Sequence, residues 1–267
     1  MRSLLATAAS LLVILAAGVA SANETQSGTR IRWNACFGDG GAINRDFACN
    51  TNTGSEQLVC SFTLSAPVDS VYQIDAFVNL AFAGGTVPPW WLFRTAGACR
   101  GTSLGSSTVP APTASACIDW ADGSRDALLT YRPGLFSAYI SQIEILTPFT
   151  AYVPFDLVAG QEYFVFSAVI NHMKTVGTGS CSGCTMGGCM GFVRATLIRS
   201  APGTYMPVPE PSGDVLVGPI PGEGQAATWQ GGAGIAIPNY GGAGWTYCPG
   251  ATAARNSTWG DVKALYR

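Results

Sequence analysis

Apolar residues recur at every second position in several short stretches of the chain. In the stretch 71–83, Ile74, Val78 and Leu80 lie on one face and Asp75 on the other. Side chains of a strand point alternately to its two faces, so this pattern predicts a strand with one face in a core. Strands are predicted over 31–36, 57–65, 71–83, 138–146, 163–171 and 190–198.

The spacing of Leu157, Gly160 and Tyr163 predicts a tight corner that leads into a strand. This Leu-x-x-Gly-x-x-Tyr pattern is similar to the tyrosine corner of immunoglobulin and fibronectin type III sandwiches, in which the phenol bonds back to the backbone upstream. The strand 163–171 is apolar on both faces, which is typical of a central, covered strand. We read it as one arm of a hairpin whose other arm is 190–198 and whose tip is a cysteine-bearing loop.

Together these elements predict an all-β protein. We expect an antiparallel β-sandwich, immunoglobulin-like or fibronectin III-like with Greek-key connections, followed by a Pro/Gly-rich C-terminal extension and a short terminal helix. If Tyr163 points inward, Phe164, Phe166 and Ile170 point to the opposite face and need a cover. We expect the C-terminal segment 225–267, which contains Trp229, Trp245 and Trp259, to pack there; the alternative is a sorting tail.

The composition predicts that the chain is divided into four segments. Residues 1–22 have a basic start, an apolar run and small residues at the end, which is the pattern of a secretory signal peptide cleaved to leave Asn23. The sandwich domain spans 23–200, and a Pro/Gly-rich linker spans 201–224. The C-terminal segment spans 225–267. We expect no membrane span after signal cleavage. The protein is expected to be secreted, with an extracellular location or a periplasmic or cell-surface one.

Charged residues are sparse and do not cluster. The chain has 14 Lys plus Arg and 16 Asp plus Glu, with no basic run. Binding to phosphodiester chains requires grouped Lys and Arg, so nucleic acid is excluded as an expected partner.

The nine cysteines predict four disulfides and one free thiol in an exported chain. Cys60 is the expected free thiol because Leu58, Cys60 and Phe62 share one face of a strand. We expect local Cys36–Cys49 and Cys99–Cys117 pairs, and three pairings stay open for the rest. The disulfide candidates are Cys36, Cys49, Cys99, Cys117, Cys181, Cys184, Cys189 and Cys248.

Few residues suggest chemistry. Trp90 and Trp91 beside a glycine-rich loop are candidates for a sugar-stacking platform, with a core anchor as the alternative. His172 is the only histidine and is expected at the surface, and disulfides are favoured over zinc at Cys181-x-x-Cys184, so we expect no metal site and no cofactor. Carboxylates of a hydrolase are not recognisable by spacing; Asp69, Asp75, Asp119, Glu144 and Glu162 stay unplaced.

Four motifs carry a resemblance over most of the mature chain: Trp33-Asn34-Ala35-Cys36, Phe47-Ala48-Cys49-Asn50, the loop 178–184, and Thr258-Trp259-Gly260 through Leu265-Tyr266-Arg267. They resemble a group of exported bacterial proteins to which no activity is attached, so the resemblance implies export alone. A disulfide-stapled sandwich without a recognisable catalytic constellation predicts an exported, non-enzymatic structural or binding module of the cell surface or of an extracellular layer. The sequence does not identify its partner; the candidates are an extracellular glycan and another surface protein. The alternatives are a carbohydrate-binding module using Trp90 and Trp91, and a secreted hydrolase.

Overall fold

The computed structural model describes residues 27–47, 49–111, 113–123, 126–148, 154–200, 214–219, 226–238 and 245–248. The predicted signal peptide, most of the linker and the predicted terminal helix lie outside these ranges. Within them, the one helical element is a 3-10 turn at Pro89–Trp91, and no helix is long and apolar enough to cross a membrane.

The described residues form an all-β fold, as predicted. Its fifteen strands are β1 (Gly28–Trp33), β2 (Asn44–Arg45), β3 (Ser55–Thr63), β4 (Val68–Phe82), β5 (Leu104–Ser107), β6 (Cys117–Asp119), β7 (Leu128–Ser137), β8 (Ile140–Pro148), β9 (Phe155–Leu157), β10 (Glu162–Asn171), β11 (Gly188–Arg199), β12 (Val215–Val217), β13 (Ala226–Trp229), β14 (Ala236–Pro238) and β15 (Trp245–Tyr247).

Two sheets enclose the main core. The small sheet has the order β1-β3-β10-β5, with β6 parallel to β10, and the large sheet has the order β2-β13-β11-β4-β8-β7, with β12 on β11 and β9 on β4. Their inner faces meet in one buried cluster, in which the rings of Phe166 and Phe192 lie 6.3 Å apart. The alternating positions identified in the sequence supply this cluster: Leu58, Cys60 and Phe62 from β3 are fully buried.

The strands β10 and β11 do not form the predicted hairpin. β10 pairs with β3 and β5 in the small sheet, whereas β11 pairs with β4 in the large sheet. The intervening loop therefore crosses from one sheet to the other. Apolar alternation does not identify a strand's partner, because every covered strand in a sandwich shows it.

The corner that leads into β10 has the expected hydrogen bond. The backbone N–H of Val158 donates to the Tyr163 hydroxyl at 2.8 Å. Gly160 has φ +78°, a conformation that glycine adopts without strain, and its N–H donates to the Leu64 carbonyl. A closer relation to immunoglobulin or fibronectin III sandwiches stays a prediction.

A β-bulge overturns the predicted face assignment on β10. The register with β3 shifts between Phe164 and Phe166, so both Val165 and Phe166 join the main core and the later residues exchange faces. Phe164 alone packs on the outer side, against Val59 and the Cys36–Cys117 disulfide. The face that was expected to need the C-terminal segment is thus covered locally.

The described part of the C-terminal segment packs on the large sheet instead. β13 pairs antiparallel with β11, and the fully buried Trp229 lies in the main core, 5.6 Å from the ring of Trp33. The hairpin β14–β15 covers the outer face of the same sheet, where Ile237 packs with Val193. Trp245, by contrast, is exposed, and Trp259 lies outside the described residues.

Four disulfides join distant parts of the chain. They are Cys36–Cys117, Cys49–Cys184, Cys99–Cys181 and Cys189–Cys248, with sequence separations of 81, 135, 82 and 59 residues.

The local pairs Cys36–Cys49 and Cys99–Cys117 predicted from the sequence are wrong. Cys36 packs on the outer face of the small sheet, while Cys49 packs against the main core. Cys60 is the cysteine left over. It is fully buried, and this burial raises the pKa of its thiol.

Candidate functional site

The paired tryptophans Trp90 and Trp91 are core residues. Both are 0% exposed, and the Trp90 ring stacks on Trp229 at 5.4 Å. The Trp90 indole N–H donates to the Thr175 hydroxyl, and the Tyr131 hydroxyl donates to the Trp91 carbonyl. No ring face is open to solvent, so the prediction of a sugar platform at Trp90 and Trp91 is wrong.

Arg100 completes this aromatic cluster from within the protein. Its guanidinium lies 3.5 Å from the centre of the Trp90 ring and donates to the carbonyls of Trp90 and Asn171. Burial lowers the pKa of Arg100 to about 9, so the group stays charged at neutral pH. With 1% exposure, the guanidinium holds the 3-10 turn in place and is closed to an external anion.

The single histidine was predicted to lie at the surface. The structure instead places it in a buried polar network. His172 Nε2 is 3.4 Å from Glu56 Oε1, and Arg45 Nε is 2.5 Å from Glu56 Oε2. The imidazole Nδ1 lies 2.7 Å from the Thr53 carbonyl, and the ring stacks on Phe47 at 3.7 Å.

The pair has the residue types of an acid–base catalyst, but a substrate cannot reach it. His172 and Glu56 are 5% and 3% exposed, and general acid–base catalysis requires contact with the reacting atoms. The network instead fixes the loop between β2 and β3 to the end of β10. His172 therefore has a structural role.

The five unplaced carboxylates have internal partners. Glu162 accepts hydrogen bonds from the N–H groups of Phe37 and Gly38 and from the Ser61 hydroxyl. Asp69 pairs with Arg199, Glu144 with Arg132, Asp75 with Gln73, and Asp119 with two turn N–H groups.

Asp75 lies on the large sheet near the carboxylate of Glu144. Desolvation, with Glu144 as a lesser cause, raises the pKa of Asp75. None of the five carboxylates lines either of the two surface pockets described next.

One group of side chains has the composition of a metal site. The ligand atoms of Cys36, Asp39 and Cys117 lie within 4.8 Å of one another. Both sulfurs, however, are joined in a disulfide and are not available as thiolates. Asp39 accepts hydrogen bonds from the N–H and hydroxyl of Ser115. This cluster therefore clamps the loop before β6 and does not hold a cation.

A pocket of about 340 Å³ lies on the outer face of the small sheet beside this clamp. Its apolar wall is formed by Val59 and Phe164, and its polar groups come from both flanking loops. The lining residues are Asn34, Ala35, Cys36, Asp39, Gln57, Val59, Ala111, Thr113, Ala114, Ser115, Phe164 and Ser167. A second, more open pocket lies between the turn after β3 and strand β12; it is lined by residues 27–28, 63–68 and 215–219.

Two aromatic residues are exposed on a strand at the other side of the molecule. Trp245 and Tyr247 are 53% and 66% exposed, whereas Thr246 between them is 6% exposed. Alternation along β15 therefore puts both rings on the outward face. Trp245 was predicted to lie in a buried cover, so this exposed pair was not predicted from the sequence. The available signal was two aromatic residues at i and i+2 after a glycine-rich run.

These features define a class: a disulfide-bonded, all-β protein with sealed polar networks and an exposed aromatic pair. Comparison with protein-family models, with curated proteins and with solved structures finds no match.

Proposed function

We propose that the protein is exported and serves as a non-enzymatic binding module of the cell surface or of an extracellular layer. One contrast carries the proposal. The acid–base pair Glu56–His172 is sealed inside the protein, whereas Trp245 and Tyr247 are held open to solvent. A catalyst that used this pair would need it to be accessible, because a catalytic acid and base must contact the substrate.

Export is supported by the cysteines and by the first residues. Disulfides persist in oxidising compartments and are rare in the cytosol, and eight of the nine cysteines are paired. Residues 1–22 have the composition of a cleavable secretory signal. Long-range crosslinks lower the entropy of the unfolded state and so stabilise the fold. Such stability suits a module that is exposed to proteases outside the cell.

The test is a binding assay combined with an activity screen. The chain from Asn23 onward, purified with its disulfides intact, is incubated with isolated envelope material of the producing cells and then sedimented. We expect saturable co-sedimentation and no product from glycoside, ester or phosphoester substrates. The matched control is the reduced and alkylated chain, which loses the fold and should stay in the supernatant.

Two results would contradict the proposal. One is the absence of envelope binding by the oxidised protein. The other is catalytic turnover by the oxidised protein that is lost on replacing a carboxylate such as Glu144 by glutamine.

A further inference from the structure

The exposed aromatic pair has a regular geometry. Trp245 and Tyr247 are two positions apart on β15, so their side chains leave the same face about 7 Å apart along the strand. Their cross-strand neighbours on β14 are Pro238 and Ala236, respectively. Both neighbours are small and apolar, so they lie beside the two rings without covering them. The result is a short apolar strip with two large rings.

The hairpin that carries the strip is firmly attached to the large sheet. The Cys189–Cys248 disulfide joins the residue that follows β15 to β11. Asn79 Nδ2 donates to the Pro238 carbonyl at 2.7 Å, and the fully buried Ile237 packs beneath. The rings therefore stand on a fixed support, which reduces the entropy lost when a ligand orders them.

Charge decides which ligand class fits. The described residues of this hairpin, 236–238 and 245–248, include no charged side chain, so the strip itself offers no ion pair to a ligand. A nucleic acid or an anionic membrane surface would require Lys and Arg nearby. A neutral ligand with flat apolar faces meets no such requirement.

A neutral glycan has the complementary chemistry. The C–H faces of its pyranose rings stack on aromatic rings, while its hydroxyls stay in water or bond to the indole N–H and the phenol hydroxyl. Two rings that project from the same face of one strand would contact successive parts of an extended chain.

We propose that Trp245 and Tyr247 form a stacking site for an extended, neutral polysaccharide. This inference rests on the proposed binding function and names its ligand class. It moves the sugar-binding hypothesis from the buried Trp90 and Trp91 to a strand whose rings are accessible.

The experiment measures glycan binding by ring-replacement variants. Cellohexaose, chitohexaose and mannohexaose are titrated into the oxidised protein by calorimetry, after a screen on an array of neutral glycans. We expect at least one neutral glycan to bind. Trp245→Ala and Tyr247→Ala should each lower the affinity about tenfold or more, because stacked rings contribute strongly to binding. The conservative variants Trp245→Phe and Tyr247→Phe should keep most of it.

The matched control is Phe136→Ala, which removes an exposed ring of similar accessibility on β7 (54% exposed) and should bind like the wild type. Equal binding by wild type and both alanine variants would overturn the site. Envelope binding without any array signal, or envelope binding removed by protease treatment of the envelope, would overturn the glycan class while leaving the binding function intact. If the wild type did not bind the envelope at all, the proposed binding function would be wrong.

Discussion

Replacing Trp229 by alanine should destabilise the protein strongly, because this residue of the C-terminal segment lies within the main core. Its ring is fully buried and lies 4.9 to 5.6 Å from the rings of Phe47, Trp33, Trp90 and Trp91. Truncating a buried tryptophan costs about 3 to 5 kcal/mol. The Cys184 carbonyl would also lose the indole N–H that donates to it at 2.9 Å, which adds about 1 kcal/mol or more.

Equilibrium unfolding in guanidinium chloride, with the disulfides intact, measures this effect. A loss of about 4 kcal/mol corresponds to a fall of about 1 M in the midpoint if the slope is about 4 kcal/mol/M. Trp245→Ala is the matched control: it removes the same side chain from the same segment, but at an exposed position. We expect it to change stability by less than about 0.5 kcal/mol. Equal effects of the two substitutions would refute the assignment of Trp229 to the core and of Trp245 to the surface.

Three further predictions concern the cysteines and one carboxylate. Alkylation without reductant should label no thiol in the native protein and one, Cys60, after unfolding; labelling of the native protein would contradict its burial. The double variant Cys189→Ala/Cys248→Ala should lose up to about 4 kcal/mol in denaturant unfolding, since that disulfide closes a loop of 59 residues. The Ser115 hydroxyl, helped by backbone N–H groups, lowers the pKa of Asp39. This carboxylate stabilises the fold above its unfolded pKa, and the contribution is lost as pH falls through the lower folded pKa. Unfolding midpoints measured between about pH 2 and 6 should therefore fall more steeply on acidification in the wild type than in Asp39→Asn; identical slopes would contradict the clamp.

Six of the fifteen described strands were predicted from the sequence: β1, β3, β4, β8, β10 and β11. Most of them bury one face, which imposes a period of two on the apolar residues. Most of the other nine are too short to show a period. The spacing Leu157, Gly160, Tyr163 also identified the corner, since it depends on residues close together in the chain. The bulge at Phe164–Phe166 was not predictable. One extra residue exchanges the two faces of a strand, and in a run that is apolar on both faces this exchange does not alter the pattern of apolar and polar residues.

Contacts between residues that are distant in the sequence were the second feature that could not be predicted. Cysteine spacing favours local disulfides, yet the sheets bring Cys36 to Cys117 and Cys49 to Cys184. The same limit applies to the candidate site. An aromatic pair in sequence can be buried, as Trp90 and Trp91 are, or exposed, as Trp245 and Tyr247 are, and the difference depends on what the rest of the chain packs over it.

Disulfide mapping of the protein recovered from outside the cytoplasm tests the central claim most directly, because export and the shape of the module both depend on these crosslinks. Digestion without reduction, followed by mass spectrometry, should yield peptides joined as Cys36–Cys117, Cys49–Cys184, Cys99–Cys181 and Cys189–Cys248. Recovery of the local Cys36–Cys49 and Cys99–Cys117 pairs, or of reduced cysteines throughout, would contradict the account.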